Sequence, residues 1–207
     1  DLRVVNSARV SFNKEKEVFD AKDEKLIEYL LENKHTSPLE HVVFTFLVKV
    51  PLFVRSQWMR HRTWSFNEVS RRYTSEEMDF YIPKTFRKQS ENNRQASIDE
   101  EIKYIYWHGD PISVEDFISE HSGYCNSIYN MLIEQGVARE QARMVLPQNL
   151  YTKYYATVDL HNLLHFVDIR NHNGAQFEMR KFAQAVESLA EKVVPSTMKI
   201  WKKLKGE

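Results

Sequence analysis

The sequence RHRTWSFNEVSRRY, residues 60–73, holds four arginines, one histidine and one glutamate within fourteen residues. Crowded guanidiniums repel one another unless an anion lies among them, and the planar donor fork of arginine matches the oxygens of phosphate or carboxylate. Aromatic and aliphatic side chains are interleaved with the charges, so we expect part of this arginine-rich segment to be anchored in a core. The segment predicts an anion pocket with a phosphate as the ligand. The alternative is a solvated basic turn with surface ion pairs.

Composition limits the classes of protein to which the chain can belong. Its 207 residues suffice for one substantial core, and we predict a single domain over residues 1–207. The formal net charge is zero, which disfavours nucleic acid and membrane partners and suits a local positive potential for a small phosphorylated ligand. Cys125 is the single cysteine, so no internal disulfide can form, and we predict a reducing, cytoplasmic location.

Several familiar signals are absent from the sequence. The most apolar run, residues 42–54, is interrupted by Lys49 and Pro51, so no membrane-spanning helix is predicted. Neither GxGxxG nor GxxxxGK[ST] occurs, and a bound nucleotide would therefore be held by side chains and helix ends. The chain begins at Asp1 in the middle of a plausible element, so we expect an N-terminal strand to be missing.

Hydrophobic periodicity predicts the first half of the fold. It indicates a helix over residues 23–31, a strand over 41–50 and a helix over 52–61. Pro51 is well placed to be the first residue of this second helix. Both faces of the strand are largely apolar, so we expect it to be covered on both sides. Residues 2–12 alternate weakly and are interpreted as strand or loop.

The second half contains longer helical patterns. Helices are predicted over residues 113–136, 138–145 and 159–170, with a last helix from about residue 175. Strands are predicted over residues 80–83 and 149–158, and residues 84–100 are interpreted as a polar surface excursion. Few strands among several long helices, without βαβ alternation, predict an α+β fold. We expect one domain with a small antiparallel sheet packed against several long helices.

One helix carries a pair of histidines. His161 and His165 have the i, i+4 spacing of zinc ligands, but Asn162 stands where a zincin helix carries its general base. Histidines that hydrogen-bond a ligand or solvent are the favoured interpretation, and we predict no metal site.

Three other patterns have structural explanations. Cys125 lies on the apolar stripe of its helix, which favours a buried thiol over a nucleophile. Ser65-x-x-Glu68 fits a helix capping box. Arg143 and Arg170 each end a predicted helix, where a cation complements the macrodipole. For these arginines the local pattern leaves a structural and a functional role equally open.

The arginine-rich segment and its flanks resemble a known family. Arg60-His61-Arg62, followed after seven residues by Ser70, resembles the RHR-x7-S signature of the flavin-dependent thymidylate synthases. The resemblance extends to residues 8–12, to residues 35–41 with the strand and helix that lead to Arg60, and to residues 81–83, 142–147 and 149–152. It covers nearly the whole chain and is weakest over residues 84–112. The combination of segments is specific, whereas the RHR triplet alone would not be.

The resemblance implies a fold and an activity. Members of this family convert dUMP to dTMP with methylenetetrahydrofolate as the one-carbon donor, NADPH as the reductant and FAD as the hydride carrier. The resemblance also implies a homotetramer whose active sites are built from several subunits. Neither nucleic acid nor a membrane is implied as a partner.

The site residues implied by the resemblance form two sets. The FAD set comprises His35, Ser37, Arg60, His61, Arg62, Thr63, Glu68, Asp159, Leu160, His161 and His165. The dUMP set comprises Gln57, Trp58, Met59, Arg60, Glu68, Val69, Ser70, Arg71, Arg72, Arg143 and Arg170. Arg170 is implied as the catalytic residue, because a fixed cation beside the N3/O2 edge of uracil stabilises the anion that develops in the ring. No thiol nucleophile is then required.

The sequence departs from the family pattern in its last third. Asp159 and His161 stand where many members have asparagine and arginine, and His165 stands where asparagine is common. We still expect these residues near the flavin. Gly174 stands where a histidine often lies, so no direct contact is expected from it.

Two other functions compete with this hypothesis. The first is a phosphate- or nucleic-acid-binding module that uses Arg60, Arg62, Arg71 and Arg72. The neutral net charge and the lack of a basic stripe disfavour it. The second is a zinc hydrolase built on His161 and His165, which metal analysis would test.

Overall fold

The computed structural model describes residues 1–76 and 78–206, and the chain divides into two compact units. The first unit comprises Asp1–Phe46, His61–Ser65 and Thr157–Glu207. The second comprises Leu47–Arg60 and Phe66–Ala156. Each unit is therefore assembled from segments that lie far apart in the sequence. The single domain over residues 1–207 stays a prediction.

The described residues form eight α-helices and seven strands. The helices are α1 (Leu2–Arg9), α2 (Ala21–Glu32), α3 (Leu52–Trp58), α4 (Val114–Glu134), α5 (Arg139–Ala142), α6 (Leu160–Arg170), α7 (Phe177–Val193) and α8 (Pro195–Lys205). The strands are β1 (Val43–Pro51), β2 (Ser65–Glu68), β3 (Arg87–Gln89), β4 (Ser97–Glu101), β5 (Tyr104–Trp107), β6 (Asp110–Ser113) and β7 (Tyr151–Asp159). A three-stranded sheet has the order β1-β7-β2, and β3-β4 and β5-β6 are antiparallel pairs. This mixture of small sheets and helices confirms the α+β prediction.

Helices pack around one apolar core in the first unit. α2 contacts α1 and α8, and α7 contacts α6 and α8. The buried side chains include Val4, Val5, Ile27, Leu160, Leu163, Phe166, Met179 and Met198. α7 and α8 are separate helices because Pro195 cannot continue a helix but suits the first turn of a new one. The Asp1 carboxylate caps α8 by accepting hydrogen bonds from the backbone N–H groups of Ser196 (3.1 Å) and Thr197 (2.8 Å).

The second unit has a core of its own, beside the long helix α4. Its buried side chains include Val50, Val54, Trp58, Tyr129, Ala142, Leu150 and Tyr154. α4 begins where Ser113 Oγ accepts the backbone N–H of Asp116 at 3.0 Å, and Gly136 follows its end with a φ of 84°. Cys125 is buried in this helix with 8% of its surface exposed, as predicted. None of the helices that the structure describes has both the length and the apolar content that a bilayer crossing requires.

Strongly periodic segments were predicted correctly. The helices predicted at residues 23–31, 113–136 and 159–170 correspond to α2, α4 and α6, and the strands predicted at 41–50 and 149–158 correspond to β1 and β7. The helix predicted over 52–61 is shorter, since α3 ends at Trp58. Pro51 is the last residue of β1 rather than the first of α3. The helix predicted over 138–145 is α5 followed by a 3₁₀ turn at Arg143–Val145.

Weakly patterned segments were predicted wrongly. Residues 2–12 form α1 and a 3₁₀ turn at Val10–Phe12, because Val4 and Val5 are buried by contacts with distant parts of the chain. Residues 80–83 are not a strand and form only an isolated bridge between Phe80 and Leu150. The polar surface excursion predicted over 84–100 is at the surface, as expected, but it includes strand β3 and most of the exposed strand β4, which were not predicted.

Two further expectations are corrected by burial and by local structure. β1 is covered on one face only, since Val43 and Leu47 are 62% and 61% exposed while Phe44 and Val48 are buried. Apolar character on both faces therefore did not imply that both faces are covered. Ser65–Glu68 forms β2, so this spacing, which also fits a helix capping box, does not cap a helix here.

Asp23 is a carboxylate buried inside the first unit. It accepts hydrogen bonds from Lys16 Nζ and from the backbone N–H of Asp20, both at 2.8 Å, and it forms an ion pair with Arg9. Burial raises the pKa of Asp23, but the hydrogen bonds from Lys16, the Asp20 backbone and Arg9 outweigh it and lower the pKa to about 2. The carboxylate of Asp23 therefore contacts both α1, through Arg9, and the N-cap of α2, through Asp20.

We expect Asp23→Asn to lower the free energy of unfolding at neutral pH by about 3 kcal/mol, because Arg9 and Lys16 lose their buried anion. The difference from wild type should shrink as the pH falls from 3.8 towards 2, since protonation then removes the same charge from the wild-type protein. Urea denaturation at neutral pH and in acid measures both effects. Asp20→Asn at the exposed cap is the matched control, because asparagine caps a helix equally well. Equal losses in the two variants would contradict the assignment.

Candidate functional site

The start of the arginine-rich segment is anchored in the first unit by Trp64. Its side chain is 5% exposed, and its ring centroid lies 5.0 Å from that of Phe166. The backbone N–H of Trp64 donates to the carbonyl of His61 at 3.2 Å and closes the turn. This turn leaves Arg62 and Thr63, both members of the predicted FAD set, exposed to solvent.

His61 holds the arginine that ends α6. Arg170 Nε donates a hydrogen bond to His61 Nε2 at 2.9 Å. The imidazole packs edge-on against Phe166, with ring centroids 4.9 Å apart and an interplanar angle of 73°. Burial lowers the pKa of Arg170, although a guanidinium stays protonated at neutral pH. The predicted catalytic cation is thus half-buried and oriented by a side chain of the RHR triplet.

The imidazole of His61 is neutral at physiological pH. Burial lowers the pKa of His61 to about 4, and electrostatic interactions with Arg170 and His165 contribute to the shift. An uncharged imidazole beside a guanidinium avoids the repulsion that two cations would suffer at this distance.

Two exposed members of the predicted FAD set follow α2. His35 lies beyond the end of the helix, where its backbone N–H donates to the carbonyl of Leu30 at 2.8 Å, and its ring packs edge-on to Tyr29 at 5.7 Å. Ser37 begins the 3₁₀ turn Ser37–His41. Both side chains are exposed and belong to the first unit.

The remaining first-unit members of the FAD set lie at or within α6. Asp159 is the N-cap of this helix and accepts the backbone N–H of Asn162 at 2.9 Å. Leu160 is fully buried in the core, whereas His161 is half-buried and His165 is exposed. No group of three or more metal-ligating side chains occurs in residues 1–76 and 78–206.

A cleft of about 650 Å³ lies within the second unit. It is lined by Leu52, Arg55, Glu68, Val69, Ser70, Arg71, Glu140, Arg143, Met144, Leu146, Gln148, Leu150, Tyr151 and Thr152. Five members of the predicted dUMP set meet here: Glu68, Val69, Ser70, Arg71 and Arg143. These residues lie far apart in the sequence. The fold brings them together by placing β2, the 3₁₀ turn after α5 and the start of β7 around one cleft.

Arg55 is a cleft residue that the sequence did not predict. Its Nε and Nη2 donate to Glu68 Oε2 at 3.0 and 2.6 Å, and Thr152 Oγ1 donates to Glu68 Oε1 at 2.7 Å. Glu68 is thereby fixed by three hydrogen bonds, and its charge is balanced by that of Arg55. No local pattern pairs Arg55 with a glutamate thirteen residues later, because a helix and a turn lie between them.

Two other cations of the cleft donate hydrogen bonds to backbone carbonyls. Arg71 Nη1 donates to the carbonyl of Glu76, and Arg143 Nε donates to the carbonyl of Glu140 at 3.3 Å. These bonds orient the two guanidiniums, and Arg71 also interacts electrostatically with Asp79, whose pKa it helps to lower. Together with the hydroxyl of Ser70 they form a donor set suited to a phosphate.

The other second-unit members of the dUMP set do not line the cleft. Trp58 is 1% exposed and packs edge-on to Tyr154 at 6.1 Å, while Gln57 and Met59 are half-buried in and after α3. Arg60 is exposed. Arg72 is also exposed, and its Nη2 lies 3.7 Å from a carboxylate oxygen of Glu140, which does line the cleft.

Comparison with known proteins identifies relatives of the whole chain. A family model described as "Thymidylate synthase complementing protein" matches residues 1–196. A flavin-dependent thymidylate synthase of Thermus thermophilus is 43% identical over 199 residues, which are 94% of this chain and 69% of that protein. The flavin-dependent thymidylate synthase of Thermosipho africanus is 39% identical over 206 residues, covering 98% of this chain and 86% of that protein.

Solved structures also resemble the chain. The UMP/dUMP methylase PolB from Streptomyces cacaoi, crystallised with 5-Br dUMP, superposes with a TM-score of 0.80 at 32% identity. The match covers 98% of this chain and 90% of the methylase. The same methylase with 5-Br UMP superposes with a TM-score of 0.75 at 30% identity.

The ion pair between Arg55 and Glu68 should contribute measurably to stability, because both partners are partly buried and share two hydrogen bonds. A double-mutant cycle with Arg55→Ala and Glu68→Ala should give a coupling energy of about 1–2 kcal/mol by urea denaturation. The exposed pair Lys88–Glu100 is the control and should give less than about 0.5 kcal/mol. Equal coupling in the two cycles would contradict the assignment of Arg55 as the fixed partner of Glu68.

Proposed function

Since the chain belongs to the family of flavin-dependent thymidylate synthases, we propose that it methylates dUMP to dTMP. It is an enzyme of that type with a flavin cofactor. In finer detail, we propose that the flavin is FAD, that NADPH is the reductant and that methylenetetrahydrofolate is the carbon donor. The observation that carries the proposal is the cationic cleft of the second unit, within a chain that matches the family over almost its full length.

The cleft suits the nucleotide. Its volume of about 650 Å³ lies in the range of small-molecule sites. Arg71, Arg143 and Ser70 would bind the 5′-phosphate, because their guanidinium and hydroxyl groups line one cleft and can donate hydrogen bonds to its oxygens. Glu68, fixed by Arg55 and Thr152, would accept hydrogen bonds from the nucleoside with its remaining lone pairs.

The exposed donors of the first unit fit a flavin nucleotide. His35, Ser37, Arg62 and Thr63 supply imidazole, hydroxyl and guanidinium groups, which suit a pyrophosphate and the carbonyl oxygens of a ring system. When bound, the flavin would supply the hydride that reduces the transferred carbon to a methyl group. The residues of the chain would position the reactants and stabilise charge.

Arg170 would provide the electrostatic part of catalysis. Replacing the hydrogen on C5 of uracil by a methyl group requires electron density in the ring, and the charge that develops must be stabilised. A half-buried guanidinium with a fixed orientation meets this need better than a mobile one, because no reorganisation is required during the reaction. Cys125 is buried inside α4, which agrees with a reaction that uses no protein thiol.

Assembly and location are further parts of the proposal. We propose a homotetramer with active sites built from several subunits, as the family resemblance implies, and a cytoplasmic location. The exposed apolar side chains on one face of β1 are available for contacts between subunits. The nucleic-acid-binding alternative is not favoured, because the net charge is zero and the cations of the cleft line a small concave site.

We expect the purified protein to bind added FAD with the visible spectrum of a flavoprotein. With FAD, NADPH, methylenetetrahydrofolate and dUMP it should form dTMP, which chromatography of the reaction mixture detects. Omitting each component in turn is the control. A protein that neither retains nor takes up flavin would contradict the proposed function.

Arg170→Ala should lower the rate of dTMP formation by about 100-fold or more, because a preorganised charge is lost from the site. Circular dichroism should report an unchanged fold. Arg3→Ala, at an exposed position of α1 in the same unit, is the matched control and should keep the wild-type rate. Near-normal turnover in Arg170→Ala would remove this arginine from the mechanism.

A further inference from the structure

We propose that His61 is a positioning residue that holds the guanidinium of Arg170 as a neutral imidazole with its proton on Nδ1. The function of Arg170 in this account rests on the proposed thymidylate synthase activity. The contact itself does not, because it is defined by the geometry of the first unit.

The direction of one hydrogen bond determines the tautomer. An arginine Nε can only donate, and it lies 2.9 Å from His61 Nε2. Nε2 must therefore offer a lone pair, which excludes both the imidazolium and the Nε2–H tautomer. The single proton of the neutral ring is then on Nδ1.

The surroundings of His61 favour this state. The imidazole packs against the buried ring of Phe166, which fixes its plane. The charged and titratable groups that act on it are Arg170 and His165, both on α6, and with burial they lower the pKa of His61 to about 4. Trp64, packed on Phe166, adds no titratable group. His61 therefore stays neutral across the physiological range.

A neutral acceptor has a consequence that a carboxylate would not have. A carboxylate would orient Arg170 and also cancel its charge, whereas an imidazole orients it by a bond that leaves the charge in place. The contact with His61 therefore orients the guanidinium without itself cancelling its charge, which suits a cation that stabilises negative charge on a ligand.

The fixed tautomer also defines what His61 offers to a ligand. Nδ1–H is a donor, and in residues 1–76 and 78–206 no protein acceptor is hydrogen-bonded to it. A ligand atom that meets it must be an acceptor, such as a carbonyl oxygen, an unprotonated ring nitrogen or a phosphate oxygen. His61 and Arg170 together thus select an electron-rich ligand edge. The same geometry excludes His61 as a general acid or base while the contact is intact.

The direct test is the protonation state of His61 in the protein as purified, without substrates. In ¹⁵N-histidine-labelled protein at neutral pH, with the signal assigned from its loss in His61→Gln, we expect a protonated Nδ1 and an unprotonated Nε2. In Arg170→Ala the acceptor is no longer needed, so the ring should shift towards the Nε2–H tautomer and its pKa should rise. A protonated Nε2 in the wild type, or an unchanged tautomer in Arg170→Ala, would overturn the proposal.

Two amide variants test the positioning role by kinetics. The carbonyl of His61→Gln can reach the place of Nε2 and accept from Arg170, whereas that of His61→Asn is one methylene too short. We expect His61→Asn to lower kcat about tenfold or more with little change in the KM for dUMP, and His61→Gln to restore most of the rate. Flavin content, measured by absorbance, normalises both rates. Equal rates in the two variants would overturn the positioning role.

The two readouts separate this inference from the proposed function. If the labelled protein has the Nδ1–H tautomer but forms no dTMP, the function fails and the contact stands. If dTMP forms while His61 carries its proton on Nε2, the function stands and the inference fails.

Discussion

The placement of cations that lie close together in the sequence is the constraint on which the candidate site depends. Around the arginine-rich segment each of several guanidiniums has its own acceptor: Arg55 pairs with Glu68, Arg71 bonds to the Glu76 carbonyl and Arg72 lies near Glu140. Apolar anchors such as Trp64 fix the backbone that carries these charges. The cost of crowding is thereby kept low without neutralising every cation. The charge that remains is what makes the site suitable for phosphorylated ligands.

The arginines donate to two kinds of acceptor, anionic and neutral, and the kind of acceptor indicates the role of each arginine. Glu68 is an anion, so its pairing with Arg55 is a structural contact that cancels charge. The carbonyl of Glu140 and the imidazole of His61 are neutral, so these two contacts orient Arg143 and Arg170 without themselves cancelling charge. The chemistry of the acceptor, rather than the number of arginines, therefore indicates which cations can act on a ligand.

The sequence predicted the elements and residues that local patterns determine. It missed those that depend on contacts with distant parts of the chain. α4 has a clear apolar period with a serine cap, and its bounds were predicted nearly to the residue. α1 was missed because Val4 and Val5 are apolar positions whose burial depends on distant helices. In the site, the RHR triplet identified His61, yet its partner Arg170 lies 109 residues away and only the fold joins them. Arg55 was missed for the same reason, since its pairing with Glu68 requires α3 and β2 to be placed first.

The most direct test of this account is a crystal structure of the protein with FAD and dUMP bound. The account predicts difference density for the nucleotide phosphate against Arg71, Arg143 and Ser70, with the charge of the flavin phosphates met by donors that include Arg62. A structure in which these guanidiniums extend into solvent while both nucleotides bind elsewhere, or do not bind, would contradict it.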